Sequence, residues 1–238
     1  MKYTIDTHTH TLVSGHAYNT IDEMVAYAAG IGVTHLAITD HAPKMPGSAG
    51  MLYFSNMKII PREKCGVRIY MGCEVNIMDY DGSIDLKEYG LKGCDVVIAS
   101  LHIPCIKPGS TEQNTNALIK AMDNPYVNII GHPDDSRYPV DYEKLVKAAK
   151  EKHVLLELNN TSLNPDGPRQ GAFENDVKML KICKELGVCI SIGSDAHIKE
   201  GICEFDRAYK VIEDTQFPEE LIVNSDYSLY ESYIGKKN

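Results

Sequence analysis

Seven short apolar runs, rich in β-branched residues and separated mostly by helical patterns, constrain the fold of this 238-residue chain more than any other feature. They are Tyr3–Thr7, His35–Thr39, Val67–Val75, Asp95–Ser100, Val127–Gly131, Val154–Asn159 and Val188–Ser194. Several are continuously apolar at their centres, as expected of parallel strands covered on both faces. Caps mark the helices between them. Thr20 to Glu23 reads as a capping box opening a helix that stops at Gly30 or Gly32. Asp141 opens a second helix reaching about Lys152, and a third runs from Asn175 to Leu186 before Gly187. Strand alternating with helix predicts an α/β fold with a parallel sheet and helices outside. Residues 1–238 show no linker or low-complexity stretch and are read as a single domain. Periodicity does not separate an open sheet from a closed barrel; the placement of reactive groups does.

Each run ends, on its C-terminal side, in a group able to bind a metal. His8 and His10 follow the first run, with His16 in the loop beyond. Strand alternation predicts that His8 and His10 share one face, with Asp6 beside them. The later runs supply His41, Glu74, His102 and His132 in turn, the sixth carries Glu157 and Asn159-Asn160, and the last ends in Asp195 and His197. A lone histidine at a strand end is more often structural than a ligand, but seven at successive strand ends reverse that expectation. In an open sheet the first and last strands would stand too far apart for their ligands to meet. A closed barrel gathers every C-terminal strand end on one face. His35 opens its run and His153 precedes its own, so both are expected at the opposite end in structural roles.

Nine donors are too many for one ion, since zinc takes about four and a catalytic ion keeps a position open. With neutral imidazoles and two carboxylates, three divalent ions would carry a net charge of about +4. Such a centre favours an anion, and a phosphate monoester fits that chemistry.

The order D-x-H-x-H, a third His, T-D-H, a strand-borne Glu, two further histidines and D-x-H resembles the PHP (polymerase and histidinol phosphatase) superfamily, in particular its YcdX-like phosphatase branch. The likeness spans nearly the whole chain, through His16-Ala-Tyr, Ala37-Ile-Thr-Asp-His41, Glu74-Val-Asn-Ile, Leu156-Glu-Leu-Asn-Asn160 and Gly193-Ser-Asp-Ala-His197. It implies a distorted (β/α)7 barrel, TIM-like, with its site at the C-terminal ends of the strands. It also implies three metals per chain, usually zinc, with Mn2+ or Fe2+ able to replace it at some sites. Carried over by motif, His8, His10, Glu74 and Asp195 hold the first metal. Glu74 bridges to a second completed by His102 and His132, and His16, His41 and His197 hold the third. The implied activity is phosphomonoester hydrolysis by hydroxide held on the metals.

Around this set, Asp6 and Thr39 are read as hydrogen-bond partners of neighbouring ligands or as packing residues. Glu157 and Asn159 are open between barrel core and substrate contact. Arg169 is the first choice for a phosphate contact, ahead of Arg137, Lys107 and Lys44. Cys105 is read as lining. The seven cysteines are scattered without a C-x-x-C pair, which fits reduced thiols and a cytoplasmic protein. No leader-like segment and no apolar run long enough for a membrane span are expected. A net charge of −9 without a basic track disfavours nucleic acid, except short oligonucleotides, and favours a small phosphorylated substrate. Histidinol-phosphate phosphatase, short-oligonucleotide nuclease and non-catalytic metal-binding module are the alternatives carried forward, and homo-oligomerisation stays open.

Overall fold

The computed structural model describes residues 2–235. Eight strands run as β1 (Ile5–Thr9), β2 (His35–Ile38), β3 (Glu63–Lys64), β4 (Val67–Asn76), β5 (Val96–Ser100), β6 (Ile129–Ile130), β7 (Leu155–Asn159) and β8 (Ile190–Gly193). The helices are α1 (Ile21–Gly30), α2 (Met51–Ser55), α3 (Glu88–Leu91), α4 (Thr111–Ala121), α5 (Tyr142–Lys152), α6 (Ala172–Leu186), α7 (Asp206–Thr215) and α8 (Tyr227–Tyr233). Seven strands pair in parallel in the order β1-β2-β4-β5-β6-β7-β8, and β3 is an antiparallel addition to β4. This is the expected seven-stranded barrel. The predicted runs became strands with shifted bounds, the fifth shrinking to two residues.

Closure is by a seam, not a full ladder. Thr9 and Ala196 form a parallel bridge. Asp195 donates its N–H to the His8 carbonyl at 2.9 Å, and His10 donates to Ala196 at 2.9 Å. Lower down, the Asn224 side chain fills the gap. Its Oδ1 accepts from Ile192 N at 2.7 Å, while Nδ2 donates to Ile5 O at 2.9 Å and to Ile192 O at 2.8 Å. A side-chain amide thus satisfies strand groups that would otherwise be orphaned.

Two apolar layers fix this frame. Inside the barrel, Ile5, Ala37, Tyr70, Val96, Ile98, Ile129, Leu155 and Cys189 pack together, and fully buried Tyr230 of α8 plugs the N-terminal mouth. Between sheet and helices lies the larger core, where Met24, Val25 and Ala28 of α1 and Met179, Leu180 and Cys183 of α6 are buried. Each fully buried aliphatic side chain contributes about 1.5–3 kcal/mol. The capping box at Thr20 and Glu23 is formed as expected. Helix α6 starts at Ala172, three residues before the predicted Asn175, because Gly171 at φ 77° turns the chain into it.

Strict alternation fails in β1. Ile5 lies in the barrel-interior layer, so an unbroken strand would turn His8 and His10 outward. A register shift between Asp6 and Thr9 restores their inward direction. Asp6 therefore does not stand beside the imidazoles. Its carboxylate accepts the backbone N–H groups of Ser194 and Cys203, tying the seam, and burial pushes its pKa up to about 6. His35 and His153 lie at the opposite end, as expected, stacked on Tyr227 and Tyr233 of α8.

Candidate metal centre

All nine donors converge at the C-terminal mouth of the barrel. Glu74, fully buried on β4, stands at the middle. Its Oε1 faces His132 Nε2 at 2.9 Å and His102 Nε2 at 3.2 Å. Its Oε2 faces His41 Nδ1 at 2.7 Å, His8 Nε2 at 3.5 Å and His10 Nε2 at 3.6 Å. One carboxylate thus addresses two separate histidine sets. Asp195 Oδ1 lies 3.2 Å from His10 Nε2, 3.7 Å from His8 Nε2 and 3.5 Å from His197 Nδ1. His16 meets His197 Nε2 to Nε2 at 3.0 Å and stacks against His41. Three groups place their donor atoms within 4.8 Å of one another: His8, His10 and Glu74; His41, Glu74 and His102; His10, His41 and His197.

The surrounding chain sets the ring tautomers. His8 Nδ1 lies 2.7 Å from Glu157 Oε1 and must donate to that carboxylate, which leaves Nε2 toward the centre. Glu157 Oε2 also accepts the His132 N–H at 2.8 Å and Asn159 Nδ2 at 3.1 Å. His102 Nδ1 lies 2.7 Å from Asn76 Oδ1, and the Asn76 amide in turn donates to Asp85 at 2.8 Å. His197 Nδ1 faces the Asp195 carbonyl at 3.0 Å. Glu157 and Asn159, left open by sequence, are therefore props of the donors. Thr39 bonds the Thr9 carbonyl at 3.1 Å and braces β1 against β2.

Two donors stand on left-handed backbone, His132 at φ 30° and Asp195 at φ 56°. Such conformations in non-glycine residues cost free energy and persist where the surroundings impose them. Gly193 shows the same crowding, since a Cβ there would lie 2.1 Å from Glu157 Oε1 and 2.7 Å from His8 Cβ. Only glycine lets Glu157 reach His8.

The electrostatics favour a cation. Burial pushes the Glu74 carboxyl upward, but His102, His41 and His8 overcome it and hold it well below the usual range. For Asp195, burial is likewise outweighed by His8, His10 and His197. His8 is held charged against its burial by Glu157, Asp195 and Glu74. Burial together with His41 and His197 keeps His10 well below its ordinary value, and burial lowers His102 to about 4. His16 is lowered by burial and by His197. Most of these imidazoles are thus neutral and ready to act as donors. The Glu74 Oε2, His41 Nδ1 and His102 Nε2 atoms are buried without hydrogen-bond partners among the described residues. The 2.7 Å approach of His41 to Glu74 is a contact at the wrong angle for a hydrogen bond. Orphaned donors aimed at a common point suit divalent metals.

Arg169 opens onto the same mouth. Its guanidinium donates to Ser162 Oγ at 3.0 Å and lies 3.4 Å from Asp195 Oδ2. With His16, Thr161, Pro168, Asp195 and His197 it lines a cleft of about 310 Å³. Arg137 is engaged elsewhere, in a forked pair with Asp135 at 2.9 and 2.7 Å. Lys44 and Lys107 are exposed, and Cys105 belongs to none of the donor groups. Sequence reasoning gave no role to Ser14 or Asp40: Ser14 meets His10 Nδ1 at 2.9 Å and donates to Asp40, 26 residues away at a strand end, at 2.7 Å. Position within T-D-H was the only signal for Asp40.

The family model described as PHP domain matches residues 6–162. A probable phosphatase of Clostridium novyi is 46% identical over 237 residues, covering 100% of this chain and 96% of that protein. One from Caldicellulosiruptor saccharolyticus is 49% identical over 220 residues, covering 92% and 91% respectively. Among solved structures, histidinol phosphate phosphatase from Lactococcus lactis, complexed with zinc, L-histidinol and phosphate, aligns with a TM-score of 0.63. That alignment covers 91% of this chain and 95% of the other at 20% identity, a likeness of fold.

Proposed function

Because this chain belongs to the PHP domain family and its curated relatives are named probable phosphatases, we propose that its nine converging donors form a trinuclear metal centre hydrolysing a small phosphomonoester. The observation that carries this reading is Glu74, a buried carboxylate whose two oxygens face different histidines. That is the disposition required of a bridging ligand. His8, His10, Glu74 and Asp195 would hold one ion, Glu74, His102 and His132 a second, and His16, His41 and His197 a third. His10 and His41 each stand in two of the donor groups, so neighbouring ions would compete for them. Zinc suits this imidazole-rich set, and Mn2+ or Fe2+ can replace it at some positions. When bound, divalent ions supply Lewis-acid charge for phosphoryl oxygens and lower the pKa of a water to near neutrality.

The chain's own residues do the rest. Glu157 and Asn76 aim His8 and His102 inward. Arg169 brings a permanent positive charge to the cleft, where its guanidinium can donate to a phosphoryl oxygen. The buried walls around Glu74 and Asp195 keep bulk water from screening these charges. The acidic balance of the chain favours a small substrate over a nucleic-acid backbone. On this reading residues 1–238 are one domain, because the ligands run from β1 to just beyond β8.

Metal analysis of purified protein together with a phosphomonoester panel tests this reading. L-histidinol phosphate belongs in the panel because the Lactococcus lactis neighbour is a histidinol phosphate phosphatase. We expect more than one ion per chain, and activity abolished by chelation and in His8→Ala and Asp195→Ala. One tight ion per chain would sink the trinuclear centre. Folded, metal-loaded protein inert toward every ester would sink the phosphatase.

A further inference from the structure

We propose that Ser14 and Asp40 are positioning residues that lock His10 in the tautomer presenting Nε2 to the metal centre. The inference rests on the reading of the donors as a metal site, not on the substrate. It follows from counting protons. Asp40 is fully buried and accepts four hydrogen bonds: Thr11 N at 2.7 Å, Thr11 Oγ1 at 2.8 Å, Ser14 Oγ at 2.7 Å and Tyr53 Oη at 2.8 Å. These four donors occupy both carboxylate oxygens as acceptors, two on each. The Ser14 hydroxyl has one hydrogen, and Asp40 takes it. The Ser14 oxygen can then only accept from its other neighbours, His41 N at 3.1 Å and His10 Nδ1 at 2.9 Å. The His10 proton must therefore sit on Nδ1. Its Nε2 keeps a free lone pair, 3.2 Å from Asp195 Oδ1 and 2.9 Å from His8 Nε2.

The turn that carries Ser14 is held firmly. It is a single 3-10 turn, Leu12–Ser14, started by the Thr11 side chain and stopped by Gly15 at φ 82°. A Cβ on Gly15 would lie 2.5 Å from the Gly47 carbonyl, so this turn and the loop after β2 touch backbone to backbone. Asp40, at the end of β2, thereby links the His10 ring to its own neighbour His41, whose N–H shares the same serine oxygen. One serine oxygen thus holds the His10 ring and the His41 backbone.

The test uses full-length protein stripped of metal and titrated with Zn2+ against a competing chelator, and with Co2+ by visible absorption. Ser14→Ala should weaken the affinity for one ion by tenfold or more and change the Co2+ spectrum, and Ser14→Thr should restore both. In thermal unfolding, the loss should be concentrated in the metal-loaded form. Wild-type affinity and spectrum in Ser14→Ala would overturn the proposal. So would an equal loss of Tm with and without metal, which marks a merely structural contact. If Ser14→Ala does not fold, Asp40→Asn decides by the same titration, and unaltered affinity there overturns it. Wild-type protein that binds metal but cleaves no ester would sink the phosphatase reading and leave this inference intact.

Discussion

Glu74 and Arg169 divide the chemistry of the mouth between a fixed negative and a fixed positive charge. Replacing Glu74 by Gln keeps the shape but removes the charge that His102, His41 and His8 surround. We expect Glu74→Gln to lose at least one equivalent of metal and to cut hydrolysis by about a hundredfold or more, read by metal analysis and steady-state kinetics. Arg169→Ala should raise KM about tenfold with a smaller effect on kcat, and Arg169→Lys should recover only part of it, because an ammonium lacks the planar fork. An unchanged KM would remove Arg169 from the phosphate site. Histidine burial also makes a pH prediction for metal-free protein. The folded pKa of His102, about 4, lies below the unfolded value of 6.5. Between these values the unfolded chain binds the extra proton, so this contribution is intact above pH 6.5 and is lost as pH falls toward 4. The corresponding part of the acid destabilisation should vanish in His102→Gln, measured by urea unfolding across that window. At this scale the donor types and order were legible in the sequence. The supports were not, because Glu157 reaches His8 across 149 positions and Ser14 reaches Asp40 across 26.

Strand and helix order was legible from apolar runs and caps, since burial on both faces leaves a continuous signature. The irregularities were not. The register shift in β1 has no side-chain signature, yet it decides whether His8 and His10 face the centre or the helices. The seam amide is equally silent in sequence. Asn224 lies beyond the last strand and acts only because the barrel brings Ile5 and Ile192 to it. Asn224→Ala should destabilise the fold by about 3 kcal/mol, since it strands buried backbone groups of both edge strands. Metal affinity should fall with it, because β1 and β8 together position four donors. Denaturant unfolding and chelator competition check the two parts separately; a loss below about 1 kcal/mol would mean that water replaces the amide.

For the whole molecule, the barrel has a chemical end and a structural end. The mouth gathers buried imidazoles around two carboxylates, while the other end is closed by the packing of α8. Tyr230 is fully buried there, and Tyr230→Ala should cost about 3–5 kcal/mol while leaving the ligand geometry, and hence metal stoichiometry, unaltered. Chelation should do the reverse, lowering Tm by an amount that metal at increasing concentration restores. Calorimetry of the variant and of the stripped protein tells the two ends apart.

The seam has a consequence for how the protein is made. Synthesis delivers His8 and His10 first and Asp195 and His197 nearly two hundred residues later. A chain still on the ribosome before β8 emerges holds its early histidines without the partners that complete their set. On the proposed reading, the donor set is complete only when the last strand docks against the first. If that set is the hydrolytic site, a chain that lacks β8 would lack the site, and closure of the seam would mark the chain as finished.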